Sequence, residues 1–240
     1  MSNLPSLDLI IPCFNPPLGW EHIIIGTFQK IERSMEGVPL KIILVNDGSS
    51  TGVTPEKFKI LRESNLPIEI VSYTKNQGKG YALRQGAIEA DSDFQIFTDV
   101  DFPYTIPSII AIYNSLKSGN DVALGTRKAD YYQTVPFVRR LISKFLRWVL
   151  KSVLKLPITD TQCGLKGFNQ KGKQVFLQTT INRFLFDLEF VKMVAAGVFT
   201  KAIPNFPFSI SAKALSRAAL VGFWLLAYSY PLLTPGASCT

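Results

Sequence analysis

Two aspartates separated by one residue, Asp99 and Asp101, follow an apolar run that ends at Phe97. The run is short and β-prone, and Pro103 follows it, so we expect a buried strand that ends in a loop. If the chain stays extended there, both carboxylates leave the same face. They repel each other unless a cation lies between them, such as a divalent metal bound to phosphate oxygens. The pair therefore predicts a metal–phosphate site, although a solvated loop could carry the same two acids.

Composition limits the classes of protein to be considered. The chain has 240 residues, of which 47% are hydrophobic, and a formal net charge of +8. This length suits one large α/β domain or two small ones, and the charge favours an anionic partner. The cysteines show no metal-ligand or disulfide spacing, which fits a reducing compartment, and we expect no signal peptide in residues 1–8.

Short apolar runs alternate with segments of helical periodicity along the first half of the chain. The connections are a few residues long, which predicts an α/β fold with a mostly parallel sheet covered by helices on both faces. The predicted strands are 7–12, 41–45, 68–72, 94–98 and 122–124, and the predicted helices are 20–34, 55–64, 79–90 and 106–118.

Polar clusters follow the predicted strands. In parallel sheets, ligands bind beyond the carboxyl ends of the strands, so these clusters should converge on one site. They are Asn15, Asp47 with Ser49 and Ser50, Gly78 to Gly80, Asp99 with Asp101, and Arg127.

Five motif-like segments follow one another along the chain at 10–15, 45–50, 76–80, 99–101 and 160–164. Taken in order, they resemble family 2 glycosyltransferases of the GT-A (Rossmann-like) fold, and most nearly the branch that makes dolichyl- or polyprenyl-phosphate sugars. The likeness covers about residues 7–206. It implies an inverting transfer from a nucleotide-diphosphate sugar, with UDP or GDP as the nucleotide, that depends on Mg²⁺ or Mn²⁺.

The resemblance also implies roles for single residues. Asp101 would hold the metal, and Pro103 stands where the branch has a polar residue that assists it. Each role competes with an ordinary one, such as a turn-former for Asp47 or a solvated side chain for Lys79. The implied catalytic residues are Asp101, Asp160 and Arg127, and the implied nucleotide-sugar-binding residues are Pro12, Asn15, Asp47, Lys79 and Asp99.

Residues 131–159 contain six basic residues and no acid. Five of the six follow helical spacing along one stripe, with apolar residues and Trp148 on other faces, which predicts an amphipathic helix over about 134–156. Such a helix is typical of a membrane interface, although a surface helix with a solvated basic face would look similar. Arg139 and Arg140 are the candidates for binding an acceptor phosphate. No sequence pattern indicates a nucleic-acid-binding module.

We predict a glycosyltransferase domain over 1–212 and an apolar segment over 213–240 that forms an interfacial or docking helix. Interfacial helices and a reducing compartment together predict peripheral or monotopic attachment to the cytoplasmic face of a membrane. The partners would then be a nucleotide sugar, a polyprenyl phosphate and the membrane surface.

Three alternatives remain. A hydroxyl acceptor on a glycan or protein would need a general base, either Asp160 or Asp187 on a helix near 186–190 whose acids could also be solvated. A non-catalytic nucleotide-sugar-binding or membrane-binding module is disfavoured by Lys79 and the Asp99–Asp101 pair. A nucleotidyltransferase would be expected to have a glycine-rich basic loop directly after the first strand, where this chain has residues 13–17.

Overall fold

The computed structural model describes residues 4–127, 163–195 and 205–208. Every strand and helix predicted up to Leu124 is present, and the prediction of a mostly parallel α/β fold is confirmed. The strands are β1 Leu7–Cys13, β2 Leu40–Asp47, β3 Ile68–Tyr73, β4 Phe94–Phe97, β5 Val122–Arg127, β6 Lys166–Asn169 and β7 Asn205–Phe208. The helices are α1 Trp20–Ser34, α2 Pro55–Glu63, α3 Lys79–Glu89, α4 Ile106–Lys117, α5 Gln170–Phe176 and α6 Phe186–Met193.

Within the described residues, one sheet has the strand order β3-β2-β1-β4-β6-β5-β7. Strands β1 to β4 are parallel, β6 runs antiparallel to both β4 and β5, and β7 is parallel to β5. The carboxyl ends of β1 to β5 therefore share one edge with the amino end of β6. We call this edge the carboxyl edge, and the polar clusters lie along it.

The two faces of the sheet carry separate apolar layers. Leu9 and Ile11 of β1 pack on the face covered by α1, α2 and α4, whereas Ile10 packs on the opposite face with α3, α5 and α6. This alternation follows from the two-residue period of a strand. Because both faces are covered, the buried strand residues are mainly apolar, and the polar clusters lie at the carboxyl edge.

Five phenylalanine rings form the layer beneath α5 and α6, with neighbouring centroids 5.2–6.2 Å apart. Burying one such ring contributes about 2–3 kcal/mol. This layer fixes α6 against β4 and β6, and α6 carries Asp187 at its first turn. The rings belong to Phe97, Phe168, Phe176, Phe186 and Phe190.

Among the described elements, sequence reasoning missed β6, α5 and β7. The amphipathic helix predicted for 134–156 and the segment 213–240 lie outside the described residues, so the predicted interfacial helices and domain boundary stay predictions. No helix in the part of the chain that the structure describes is both long and apolar enough to cross a bilayer.

Candidate functional site

The segment Asp99–Phe102 is a turn rather than an extension of β4. The Phe102 N–H donates to the Asp99 carbonyl at 3.0 Å, and Phe102 has a φ of 44°. Phe102 and Tyr104 are buried in the layer under α4, so the chain bends back into the core directly after the aspartates. The chain does not stay extended through Asp99–Asp101, so the turn rather than strand geometry positions both carboxylates.

Lys79, the first residue of α3, joins this turn to the rest of the site. Its Nζ lies 2.5 Å from Asp99 Oδ1, and the lysine side chain is only 22% exposed. Burial opposes the charge on Lys79, but the nearby carboxylates of Asp99, Asp187 and Asp101 outweigh it and raise the lysine pKa above its ordinary value. Lys79 is thus a fixed cation at physiological pH, not a solvated side chain.

Gly164, in the segment before β6, packs against Tyr104 and Asp99. Its N–H donates to the Tyr104 hydroxyl at 2.7 Å. A Cβ at this position would lie 2.7 Å from Asp99 Oδ2 and 2.8 Å from the Tyr104 hydroxyl oxygen. Only glycine leaves room there for the Asp99 carboxylate. The motif at 160–164 therefore ends in direct contact with the Asp99 turn.

Replacing Gly164 with alanine should displace Asp99 and lower kcat/KM about a hundredfold, because small misplacements at a reacting centre carry costs of that order. The fold should remain, since the clash is with side-chain termini. Kinetics and thermal unfolding check this. Gly26→Ala on α1 is the matched control, because no atom lies within 4 Å of a Cβ there. Unchanged kinetics in Gly164→Ala would contradict the assignment.

A buried ion pair lies behind this contact. The Lys166 ammonium, 1% exposed, donates to Asp187 Oδ1 at 2.6 Å and to the Cys163 carbonyl, and lies 5.7 Å from the Phe97 ring centroid. Sequence reasoning missed Lys166. A lysine directly after the Gly164 motif and inside an apolar stretch was the available signal, because lysine is rarely buried without a partner.

Asp187 faces the site, as one of the two sequence interpretations had it. Burial raises its pKa above the ordinary value, and the neighbouring Lys166 and Lys79 offset this only in part. Lys79 connects it electrostatically to Asp99. Its carboxylate is ion-paired with Lys166, so Asp187 is poorly suited to act as a general base.

Asp47 ends β2 and organises the loop after β3. Its carboxylate accepts hydrogen bonds from the N–H groups of Gln77 at 2.8 Å and Gly78 at 3.0 Å, and from the Asn76 side chain at 2.8 Å. Asp47 is buried, and its carboxylate therefore holds the loop after β3 in place.

Asn15 plays the corresponding part for the loop after β2. Its side-chain oxygen accepts from the N–H groups of Ser50 at 2.9 Å and Thr51 at 3.0 Å. Its own N–H donates to Ser49 Oγ at 3.0 Å, and its φ is 44°. The predicted residues Asn15 and Asp47 thus shape two adjoining loops at the carboxyl edge.

The amino end of α3 is closed by the chain itself. The Asn182 carbonyl accepts hydrogen bonds from the N–H groups of Gly80 at 2.7 Å and Tyr81 at 3.2 Å. Arg84 binds the same loop through the Ile181 carbonyl at 3.0 Å. Positive charge therefore comes from Lys79 and not from a free helix terminus.

Glu189 fixes this loop from the other side. Its carboxylate accepts from the N–H groups of Thr180 and Ile181, both at 2.9 Å, and from the Thr180 hydroxyl at 2.8 Å. Burial alone would raise the pKa of Glu189, but these hydrogen bonds and Arg84 hold it below the ordinary value.

We expect Glu189→Gln to destabilise the fold by about 1 kcal/mol at neutral pH, because charge-assisted hydrogen bonds are weakened. A lowered folded pKa contributes stability above the unfolded pKa of about 4.3, and this contribution is lost as pH falls through the folded value. The gap between wild type and variant should therefore close below about pH 4. Urea unfolding across pH measures it, with exposed Glu32→Gln as control; a pH-independent gap would argue against the charge.

Of the remaining predicted residues, two lie within the described part of the chain and three do not. Pro12 lies in β1, half-buried, and Arg127 is the last residue of β5 at the carboxyl edge. Asp160, Arg139 and Arg140 lie outside the described residues. The structure thus brings together Lys79, Asp99 and Asp101, with Asp187 and Lys166 behind them.

The family model for glycosyl transferase family 2 matches residues 8–176. The chain belongs to glycosyltransferase family 2. The matched region contains the Asp47 loop, Lys79, both site aspartates and Gly164. The resemblance read from the sequence motifs is confirmed.

Curated relatives of this family 2 chain carry dolichyl-phosphate names. The dolichol-phosphate mannosyltransferase of Pyrococcus furiosus is 27% identical over 226 residues, covering 93% of this chain and 61% of that protein. The dolichyl-phosphate beta-glucosyltransferase of Drosophila melanogaster is 24% identical over 205 residues, covering 79% and 63%. The chain therefore spans less than two thirds of the length of these two relatives.

Solved structures share the fold of this family 2 chain. The glucosyl-3-phosphoglycerate synthase of M. tuberculosis gives a TM-score of 0.59 at 16% identity and covers 95% of this chain and 83% of that one. The mannosyltransferase PcManGT of Pyrobaculum calidifontis, in complex with GDP-Man and Mn²⁺, gives 0.53 at 14% and covers 96% and 66%. These likenesses confirm the predicted GT-A fold.

The donor set at the turn fits a hard divalent cation that shares its ligands with a substrate. Within the described residues, no group of three or more acidic, histidine or cysteine side chains could hold a metal alone. Asp99 and Asp101 offer carboxylate oxygens, the ligand type that Mg²⁺ and Mn²⁺ prefer, and Mg²⁺ usually binds through one or two carboxylates plus phosphates. The two carboxylates therefore fit a divalent metal that is bound together with a diphosphate.

Proposed function

We propose that this chain is an inverting, metal-dependent glycosyltransferase that moves a glucose- or mannose-type sugar from UDP or GDP to a polyprenyl phosphate at a membrane. The observation that carries the proposal is the convergence of Lys79, Asp99 and Asp101 against Gly164 at the carboxyl edge. The dolichyl-phosphate names of the relatives support the acceptor.

On the donor side, Asp47 and Asn15 hold the loops that would enclose the nucleotide, with Pro12 beneath them. Asp99, oriented by Lys79 and Gly164, would bind the ribose or donor sugar. Asp101 would hold Mg²⁺ or Mn²⁺, which when bound neutralises charge on the departing diphosphate. Lys79 supplies a further fixed positive charge, and Arg127 would supply another at the end of β5.

On the acceptor side, a lipid phosphate is already an anion. Its oxygen would form the bond to the anomeric carbon as the bond to the nucleotide diphosphate breaks, with inversion. No general base is required, so Arg139 and Arg140 would position the phosphate and Asp160 would orient it. Such an acceptor requires contact with a membrane, and we propose peripheral or monotopic attachment to its cytoplasmic face because the cysteine pattern fits a reducing compartment.

The test is turnover of UDP-glucose and of GDP-mannose with a polyprenyl phosphate in detergent, with Mg²⁺, Mn²⁺ or EDTA. We expect a glycolipid from one donor, lost in EDTA, and mass spectrometry with NMR of the anomeric proton identifies it. Nucleotide release without glycolipid would point to a hydroxyl acceptor. Binding of both donors without any turnover would favour a non-catalytic module.

Asp160→Asn separates the two acceptor classes. Retention of most activity on a lipid phosphate agrees with an orienting role, because no proton has to be removed. A loss of activity that is restored at high pH would instead assign Asp160 as a base for a hydroxyl acceptor.

A further inference from the structure

Large apolar side chains that are exposed concentrate at the carboxyl edge. Among the described residues there are six, and five of them lie in two loops there. We call these five the apolar rim: Phe14 at 49% exposed, Leu18 at 94%, Ile181 at 37%, Phe184 at 52% and Leu185 at 58%. The sixth, Ile88 at 54%, lies in the last turn of α3, near the opposite edge. Scattered exposed leucines need no explanation, but a cluster around a functional edge does.

Both loops hold their apolar tips in a defined place. Leu18 follows Pro16 and Pro17, whose rings fix φ, and Trp20 anchors the loop by donating to the Pro17 carbonyl at 3.3 Å and, through its indole, to the Gly52 carbonyl at 2.9 Å. The loop that carries Phe184 is tied at its base by the Arg84 and Glu189 hydrogen bonds. A rigid apolar surface loses little entropy when it is buried by a partner.

The charge of the two loops identifies the class of partner. Residues 13–19 and 177–185 contain no acid, and exposed Arg183 lies between Ile181 and Phe184. Exposed Lys75 lies in the neighbouring loop after β3. Apolar side chains interleaved with cations match the boundary between acyl chains and anionic headgroups.

The loops lie on both sides of the site. Leu18 precedes α1, which packs on one face of the sheet, and Leu185 precedes α6, which packs on the other. Asp99 and Asp101 lie at the edge between these faces. A planar surface that contacts both loops would therefore also meet the site.

We propose that the apolar rim docks this chain on an anionic bilayer with the carboxyl edge facing the lipid. The inference rests on the proposed lipid-phosphate acceptor and assigns its delivery route. An acceptor whose phosphate lies at the membrane surface would then reach Asp99 and Asp101 without leaving the bilayer.

The experiment is flotation of the full chain with vesicles of phosphatidylcholine and phosphatidylserine, at low and at high salt. Leu18→Glu and Phe184→Glu should each lower the bound fraction about tenfold, most clearly at high salt, where attraction to headgroups is screened. Ile88→Glu, the matched exposed control, should bind as wild type. Leu18 contributes almost no buried area, so its variant should keep the wild-type unfolding temperature.

Wild-type flotation of both rim variants at high salt would overturn the proposal. A second contrary result would be a lowered unfolding temperature in Phe184→Glu with unchanged flotation, which would mean that another part of this chain covers the rim. Loss of a dimer on sedimentation, with flotation retained, would assign the rim to a second copy. The rim variants should still make glycolipid in detergent, so a failure of membrane docking can be distinguished from a failure of the proposed function.

Discussion

Asp101→Asn should lower kcat/KM about a thousandfold while the fold stays intact. Asp101 lies in a turn that is held by burial of Phe102 and by the hydrogen bond from its N–H to the Asp99 carbonyl, and asparagine has nearly the same shape as aspartate. An amide keeps an oxygen ligand but loses the negative charge that would hold the cation near Lys79. The loss should appear mainly in kcat and in a raised requirement for metal.

Titration of activity against Mn²⁺ and calorimetry of nucleotide binding with and without metal measure the effect of Asp101→Asn. Nucleotide affinity without metal should be unchanged, because Asp47 and Asn15 shape that part of the site. Glu36→Gln, an exposed acid at the end of α1, removes the same charge far from the site and is the control. A metal requirement equal to that of wild type would remove Asp101 from the proposed role.

Lys166→Met should have the largest effect on stability, lowering the free energy of unfolding by about 3–5 kcal/mol. Methionine fills similar space, but it leaves the Asp187 carboxylate buried without the cation 2.6 Å away. It also removes a hydrogen bond to the Cys163 carbonyl, which precedes Gly164. Activity should fall with stability, since Gly164 and Asp99 are in contact.

The pH dependence identifies the cause. The pKa of Asp187 is already raised in the fold, and loss of Lys166 should raise it further. A raised carboxyl pKa means that the folded state binds more protons than the unfolded one, so stability increases as pH falls. The deficit of Lys166→Met should therefore shrink as the pH falls from 7.

The double variant Lys166→Met/Asp187→Leu provides the control for Lys166→Met, because replacing both members of a buried pair is often nearly neutral. Urea unfolding of the four proteins gives the coupling energy. Additive losses from the two single variants would show that the pair is not coupled.

The repeating part of the fold was predictable because each strand is a short apolar run and each loop is short. The carboxyl-edge cluster followed from that topology, since parallel strands end at one edge. Strand β6 was not predictable in this way. It has four residues, includes a glycine, and begins with a lysine that is buried only because Asp187 is there to pair with it.

The details of the site depended on contacts between segments distant in sequence. The closure of α3 by Asn182 joins residues about a hundred positions apart, and the Asp99 turn is set by burial of Phe102. Neither contact leaves a local pattern in the sequence. A glycine-rich entry to a helix can lie against a ligand or against another segment of the chain. Here Gly78 and Gly80 lie against the segment that contains Ile181 and Asn182.

The antiparallel β6 between β4 and β5 has a consequence for synthesis on the ribosome. Strands β1 to β4 can pair as they emerge, but both strands that pair with β5 come after it, and β6 ends about forty residues later. At roughly 5–20 residues per second, β5 waits about 2–8 s for its first neighbour. During that interval β4 and β5 each expose an unpaired strand edge. The nascent chain can then aggregate unless chaperones bind it. Delivering the Gly164 motif to the site on a late strand thus lengthens the time during which the nascent chain can aggregate.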